Sequence, residues 1–364
     1  MGYAPQARID HAALRHNLKC ARKAAQGRKI WAVIKADGYG HGMLRVARTL
    51  NEADGFAVAR LDEAMRLREA GITHPILVMG GCYTQADLHT ASDAGLELAL
   101  HDAQQLRLLQ EMESSKQPMT IWLKVDTGMC RLGFHHDAIH STAASLKKCP
   151  AVAQLNLMTH LANADDLNDP ATQVQCELFE RIEHTGFSRC SIANSAGLLG
   201  WPASLSDWVR PGIMLYGVSP FSDTHASDQG LVPVMTLHSR VIAVRHCRNG
   251  EKVGYGGTYT CPEAMTVAVI AIGYGDGYPR HAPTGTPVLV GGQRLPLIGR
   301  VSMDMICVDA RILPTVQVGD DVVLWGEGLP VEEIAERAGT IAYELLCGVK
   351  QRVAFVDQNE DGEG

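Results

Sequence analysis

Short apolar runs alternate with amphipathic stretches through the first part of the chain. The runs are Ile30–Ile34, Phe56–Ala59, Ile76–Met79, Leu96–Leu100, Thr120–Val125, Leu155–Thr159, Arg189–Ala193 and Val209–Leu215. Each is short and mostly unbroken by polar residues, the pattern of strands buried on both faces. Between them lie stretches with helical spacing. Asp10 stands as an N-cap before Leu14, Leu18 and Ala21, with Gly27 past the end. Asp62–Ala70, Gln85–Ala94, Asp102–Glu113, Asp137–Lys148 and Pro170–Thr185 follow as further helices. Strands and helices that alternate with short links predict a parallel sheet. Eight such units predict an α/β fold with a closed (β/α)8 TIM-type barrel over residues 1–225.

Ser222–Gly230 is polar and turn-rich and reads as a linker. Beyond it the period changes. Val234–Val244, Thr266–Ile272, Pro287–Val290, Leu295–Ile298, Met305–Val308 and Val322–Leu324 are strand-like runs broken by Gly and Pro. They predict a mostly-β domain over residues 226–357. Helices are expected at Val331–Ala338 and Ala342–Cys347, and a last strand at Arg352–Val356. Residues 358–364, with Asp357 before them, are acidic and glycine-containing, which predicts a disordered tail.

Composition narrows the classes. The 364 residues are 46% hydrophobic and 20% charged, enough for a large core. The formal charge of −7 comes without a basic block, which argues against a nucleic-acid partner. No apolar run reaches membrane length and none near Met1 has signal-peptide character, so the cytoplasm is the expected compartment. Ten cysteines without a Cys-x-x-Cys pair are expected to be reduced. His135 and His136 are adjacent, so their side chains are expected to diverge, and no metal site is predicted.

The chemistry collects at strand ends. Lys35 closes the first run and opens Ala36-Asp37-Gly38-Tyr39-Gly40-His41-Gly42. Desolvation disfavours a charged amine there, which suits a neutral nucleophile able to form a Schiff base. Lys124 and Asp126 end the fifth run, ahead of Thr127–Gly133 with Arg131; His160 ends the sixth and Asn194-Ser195 the seventh. Arg210, Gly212 and Ile213 belong to the eighth. Alone, each has a plainer reading: a core histidine, a loop salt bridge, a helix cap. Together they occupy the end of a barrel where active sites form, with a phosphate site after strands seven and eight. Ser195 and the N–H groups of Gly212 and Ile213 would meet that phosphate. The β domain adds Val253–Thr258, Gly273–Tyr278 and Gly299–Asp304, where glycine beside tyrosine allows close backbone approach, or simply forms turns.

At this point the sequence resembles the bacterial alanine racemases over nearly its whole length. The matching stretches are Ala32–Gly42, Lys124–Gly133, Thr159–Asp165, Val209–Gly217, Val253–Tyr259, Gly273–Arg280, Gly299–Ile306 and Tyr343–Leu346. Cys130, Leu161 and Ser302 are mild departures. The resemblance implies pyridoxal 5′-phosphate as cofactor, alanine as substrate, and a homodimer with shared sites. It also implies that residues 1–8 pair with the C-terminal domain. Lys35 would hold the cofactor and act as base on the D-alanine face, with Tyr255 on the L-alanine face. His160 and Arg210 would lend positive charge to that tyrosine, and Arg210 would face the pyridine nitrogen. Arg131 would contact cofactor and substrate carboxylate, supported by a carbamylated Lys124. Tyr39, Asn194, Ser195, Gly212, Ile213 and Tyr343 would bind the cofactor phosphate end. Met303 and Asp304 would bind substrate, and Tyr274, Tyr343, Asp165, Arg280, Arg300 and Ile341 would form the entrance. Rival readings are a broader serine or basic amino-acid racemase, a related decarboxylase, and a non-enzymatic pyridoxal-phosphate carrier. The carriers lack a β domain and need no Tyr255.

Overall fold

The computed structural model describes residues 4–112 and 117–359. It opens with β1 (Gln6–Asp10), and Asp10 then caps the helix His11–Ala25, its Oδ1 accepting from Ala12 N at 2.8 Å and Ala13 N at 3.1 Å. Eight strands follow: β2 (Lys29–Val33), β3 (Gly55–Val58), β4 (Ile76–Val78), β5 (Glu97–Leu100), β6 (Met119–Lys124), β7 (Val152–Met158), β8 (Cys190–Ser191) and β9 (Trp208–Val209). They are parallel and close into a barrel, β9 pairing back onto β2. The fold class is therefore the one the alternation predicts.

Aromatic packing fills the barrel. Trp31 stacks on Trp208 at 4.3 Å between centroids and meets Trp122 edge-on at 6.4 Å. Gly55 on the neighbouring strand makes room, because a Cβ there would lie 2.3 Å from the Trp31 ring.

Several boundaries differ from expectation. The eighth strand is only Trp208–Val209, and Ile213–Tyr216 is a 3-10 turn. An apolar run does not distinguish a buried strand from a buried turn. The helix expected to reach Glu113 ends at Gln110; Glu113 itself lies outside the described residues.

The second domain is a sheet of β10 (Met235–Cys247), β13 (Met265–Ile270), β14 (Pro287–Val290), β15 (Gln293–Ile298), β16 (Ile306–Asp309), β17 (Asp321–Trp325) and β18 (Ala354–Gln358), joined by β1, with a separate two-stranded hairpin of β11 (Lys252–Val253) and β12 (Tyr259–Thr260). Strand order is β13-β16-β15-β14-β17-β10-β1-β18, with β10 also pairing β13. β1 thus lies between β10, antiparallel, and β18, parallel. β18 runs to Gln358, where a disordered tail was expected. Asp357 is held by His11 Nε2 at 2.9 Å and by Arg45, which explains the order. Residues 360–364 lie outside the described residues. The linker is also anchored: Glu332 Oε1 accepts Ser219 N at 3.0 Å and Ala226 N at 3.1 Å.

Candidate active site

Lys35 stands two positions past Val33, the last residue of β2, and is half-buried. The chain then makes a left-handed turn. Ala36, Asp37, Gly38 and Tyr39 have φ of 53°, 53°, 65° and 52°. Only glycine adopts that region freely, so three of the four residues are held there at a cost. The Ala36 N–H is bound by Glu63 Oε1 at 2.7 Å, and Asp37 Oδ1 accepts Met43 N at 3.1 Å. The buried His41 places Nδ1 2.9 Å from the Tyr39 carbonyl. The helix Ala342–Gly348 of the second domain packs onto this turn, since a Cβ on Gly40 would lie 2.2 Å from the Leu346 carbonyl oxygen.

The turn delivers Tyr39 to the ends of β8 and β9. Its ring stacks on Tyr216 at 4.7 Å and lies 5.9 Å from Tyr343. A Cβ on Gly212 would stand 2.4 Å from the Tyr39 hydroxyl, so glycine alone lets the two approach. Asn194 caps the helix Ser195–Gly200, its Oδ1 accepting Gly197 N at 2.8 Å. Ser195 Oγ accepts Gly212 N at 2.8 Å. The Tyr39 hydroxyl, Ser195 hydroxyl and Gly212 N–H thus converge, with Ile213 opening the next turn.

Facing this cradle is an excess of positive charge. Burial lowers the Lys35 amine pKa, and Arg131 lowers it further. Lys124, 8% exposed, is brought down to about 8 by burial and by Arg210 and Arg131. Arg210 is buried and its pKa falls to about 10 by desolvation, so it still carries its proton at neutral pH. Its guanidinium donates to Ser191 Oγ, to the Thr159 carbonyl at 2.6 Å and to the Ile192 carbonyl at 3.0 Å, leaving N–H donors unused. The nearby carboxylates do not neutralise these cations by pairing. Glu63 binds backbone N–H groups, and Asp126 Oδ1 accepts those of Gly128, Met129 and Cys130. A site with unpaired buried cations attracts an anionic ligand.

His160 corrects one expectation. Burial, then Arg210, Lys124, Lys35 and Arg131, drive its pKa well below the ordinary histidine value. It is neutral at physiological pH and supplies no positive charge to a tyrosine. His135 and His136 correct another: their rings lie 4.1 Å apart instead of diverging, and both face Asp137.

Tyr255, Met303 and Tyr274 form a second, outward-facing group. They are 72%, 52% and 38% exposed. The hairpin β11–β12 carries Tyr255 on its 3-10 turn, and a Cβ on Gly256 would lie 3.2 Å from Arg300 Nη1. Tyr274 N donates to the Ser302 carbonyl at 3.1 Å and Gly275 N to the Met303 carbonyl at 2.9 Å. Arg352 joins Asp304 and Asp276, each at 2.9 Å. Arg280 is exposed on the same glycine–tyrosine segment. Among the described residues, no hydrogen bond, ion pair or ring contact connects Tyr255 to Lys35. Tyr343, Ile341 and Asp165 instead line a cavity of about 440 Å³ beside the barrel mouth.

Sequence reasoning missed Glu63 and a buried network under His160. Gln175 Nε2 donates to Thr127 Oγ1 at 3.1 Å and to the His160 carbonyl at 3.2 Å, and the Thr127 and Thr159 hydroxyls meet at 2.8 Å. A glutamate or glutamine inside an ordinary amphipathic helix gives no sequence signal of this kind.

Comparison with known proteins matches this architecture throughout. The model of the alanine racemase N-terminal domain matches residues 9–220, and that of the C-terminal domain residues 234–356. The alanine racemase of Nitrosococcus oceani is 53% identical over 350 residues, covering 96% of this chain and 98% of the relative. That of Coxiella burnetii is 49% identical over 357 residues, covering 96% and 98%. The solved biosynthetic alanine racemase from Pseudomonas aeruginosa superposes with a TM-score of 0.95 at 43% identity, covering 98% of this chain and all of that one. The structure of alanine racemase from Acinetobacter baumannii gives 0.93 at 38%, with 98% and 100% covered. With both domains matched and the barrel-mouth lysine, cradle and arginines in place, the chain belongs to the alanine racemase family.

Proposed function

We propose that this chain interconverts L-alanine and D-alanine with pyridoxal 5′-phosphate as its cofactor, as a homodimer. The observation that carries the reading is the half-buried Lys35 facing a cradle made by Tyr39, Ser195 and Gly212. The donor set fits the cofactor: the Tyr39 and Ser195 hydroxyls suit a phosphate, the Gly212 N–H orients Ser195 Oγ, and unpaired cations offset its charge. When bound, the cofactor supplies an electron sink for the substrate Cα.

The chain's own residues do the rest. Lys35, its amine pKa lowered, would hold the cofactor and would accept or donate the proton at Cα on one face. Arg210, protonated at neutral pH, would hold the ring end of the cofactor with its unused N–H donors and so favour an unprotonated ring nitrogen. Arg131, exposed beside Lys35, holds the substrate carboxylate. Lys124 carries a sizeable neutral fraction near pH 8, the form that adds carbon dioxide to give a carbamate able to brace Arg131. Tyr255 serves the opposite face, with Met303 and Asp304 beside it. Among the described residues of one chain Tyr255 has no side-chain hydrogen-bond partner, and two bases must approach Cα from opposite sides. A two-fold dimer that docks one chain's Tyr255 group over the other's barrel mouth completes two equal sites. Ten free cysteines fit a reducing compartment, the cytoplasm; no described helix is long and apolar enough to cross a membrane.

Mixing tests the arrangement. Lys35→Ala and Tyr255→Ala proteins are each expected to be nearly inactive. After dissociation and random reassociation, half of the dimers are mixed and each has one intact site. About a quarter of wild-type racemase activity should return. Demonstrated subunit exchange without recovered activity would place both residues in the same chain's site.

A further inference from the structure

One buried carboxylate touches the site without a role in the chemistry above. Glu63 lies in the helix Leu61–Glu69 after β3 and is 5% exposed. Its Oε2 accepts the N–H of Ala59 at 2.8 Å and of Arg60 at 3.1 Å, the ordinary duty of an acid three residues into a helix. Its Oε1 does something else. It crosses to the neighbouring strand end and accepts Ala36 N at 2.7 Å. Ala36 is the residue after Lys35 and the first of the left-handed run.

That run needs holding at both ends. Left-handed geometry is costly for any non-glycine residue, and Ala36, Asp37 and Tyr39 all bear that cost. The exit is tied by Met43 N to Asp37 Oδ1 at 3.1 Å and by Gly42 N to the Asp37 carbonyl at 2.8 Å. At the entrance, Gly38 N donates to the Ile34 carbonyl at 2.9 Å. The Ala36 peptide N–H has Glu63 as its acceptor. A charged acceptor makes this bond stronger than a neutral one could.

We propose that Glu63 is a positioning residue for Lys35: it fixes the peptide that aims the amine into the barrel mouth and supplies the negative charge beside which that amine takes up a proton. The proposal rests on the reading of Lys35 as the cofactor and proton-carrying amine. The charge balance around Lys35 supports it. Arg131, Lys124 and His160 face the amine from neighbouring barrel elements, and Arg131 disfavours its charged form. Cys347, from the second domain, and Glu63 act the other way, and Glu63 has the larger effect. A base that must gain and lose a proton in each turnover needs such a counterweight.

Two variants separate charge from position. In Glu63→Gln the charge is removed and the outline kept; the amide oxygen can still accept Ala36 N, while the NH2 group gives up the bonds from Ala59 N and Arg60 N. In the full-length protein stripped of cofactor, Lys35 acylation by acetic anhydride is followed against pH by mass spectrometry. The midpoint should fall by roughly 0.5–1 pH unit. In Glu63→Asp the charge remains but the carboxylate withdraws by one methylene, so the Ala36 bond is lost. Its midpoint should stay close to wild type while kcat for alanine falls about tenfold or more, with KM changing less. A Glu63→Gln midpoint equal to wild type overturns the electrostatic part, and Glu63→Asp with wild-type kcat overturns the positional part. If Glu63→Gln does not fold, the kcat of Glu63→Asp still decides the positional claim. Failure of the underlying reading looks different: Lys35→Ala would itself retain racemase activity.

Discussion

Single atoms decide the proposed cofactor cradle. Gly212 is required because the Tyr39 hydroxyl occupies the space of a side chain. Gly212→Ala would force a Cβ to within 2.4 Å of that hydroxyl, and either Tyr39 or the backbone must move. Cofactor affinity, measured by absorbance titration of stripped protein, is expected to fall about tenfold or more, while the barrel's far-ultraviolet dichroism is kept. An unchanged dissociation constant would mean that Tyr39 takes no part in binding. Lys35, Lys124, Arg131, Arg210, His160 and Ser195 could be picked from the sequence because polar residues at the ends of apolar runs are conspicuous. Glu63 and Gln175 could not. Their importance comes from reaching across to a neighbouring strand, which one-dimensional spacing does not encode.

At the scale of elements, the eight barrel strands were legible because strands buried on both faces are almost uninterrupted apolar runs. Three things were not. The left-handed turn at Ala36–Tyr39 contradicts local propensity and persists through tertiary hydrogen bonds. The hairpin β11–β12 has two-residue strands, below the length at which alternation can be seen. β18 ends on polar residues that look like a tail until His11 and Arg45 are placed beside Asp357. Burial raises the Asp357 carboxyl pKa, but hydrogen bonds from His11 and Arg45 outweigh it, and the net direction is downward. The tether therefore holds above about pH 4 and is lost as pH falls through the depressed value. Asp357→Asn is expected to cost about 1 kcal/mol, allowing for partial exposure, and to speed hydrogen exchange of β18 amides about fivefold at neutral pH. Exchange as slow as in the wild type would show that the strand is held by its backbone ladder alone.

For the whole molecule, acid sensitivity follows from histidines kept neutral. His41 and His238 are both pushed down to about 4, chiefly by burial, and His160 is held well below the ordinary histidine value. An unfolded histidine titrates near 6.5. Between about pH 6.5 and 4 the unfolded chain therefore binds more protons than the folded one, and stability is lost as pH falls through that window. His238 lies on β10, away from the barrel mouth, and offers a clean test. Urea unfolding at several pH values should show a slope smaller by up to about 1.4 kcal/mol per pH unit in His238→Gln than in the wild type. Equal slopes would mean that His238 is not held neutral in the folded protein.

The place of β1 between β10 and β18 has a consequence for how the chain is made. A ribosome releases Gln6–Asp10 about 225 residues before Met235. At roughly 5–20 residues per second, β1 waits some ten to forty-five seconds for its first partner strand. By then all eight barrel strands have been synthesised. Ala7 and Ile9, fully buried in the finished sheet, stay uncovered for that interval on a segment with two open edges. β1 is thus made long before the strands that house it, and in that interval a nascent chain is most exposed to pairing with its neighbours on the same message.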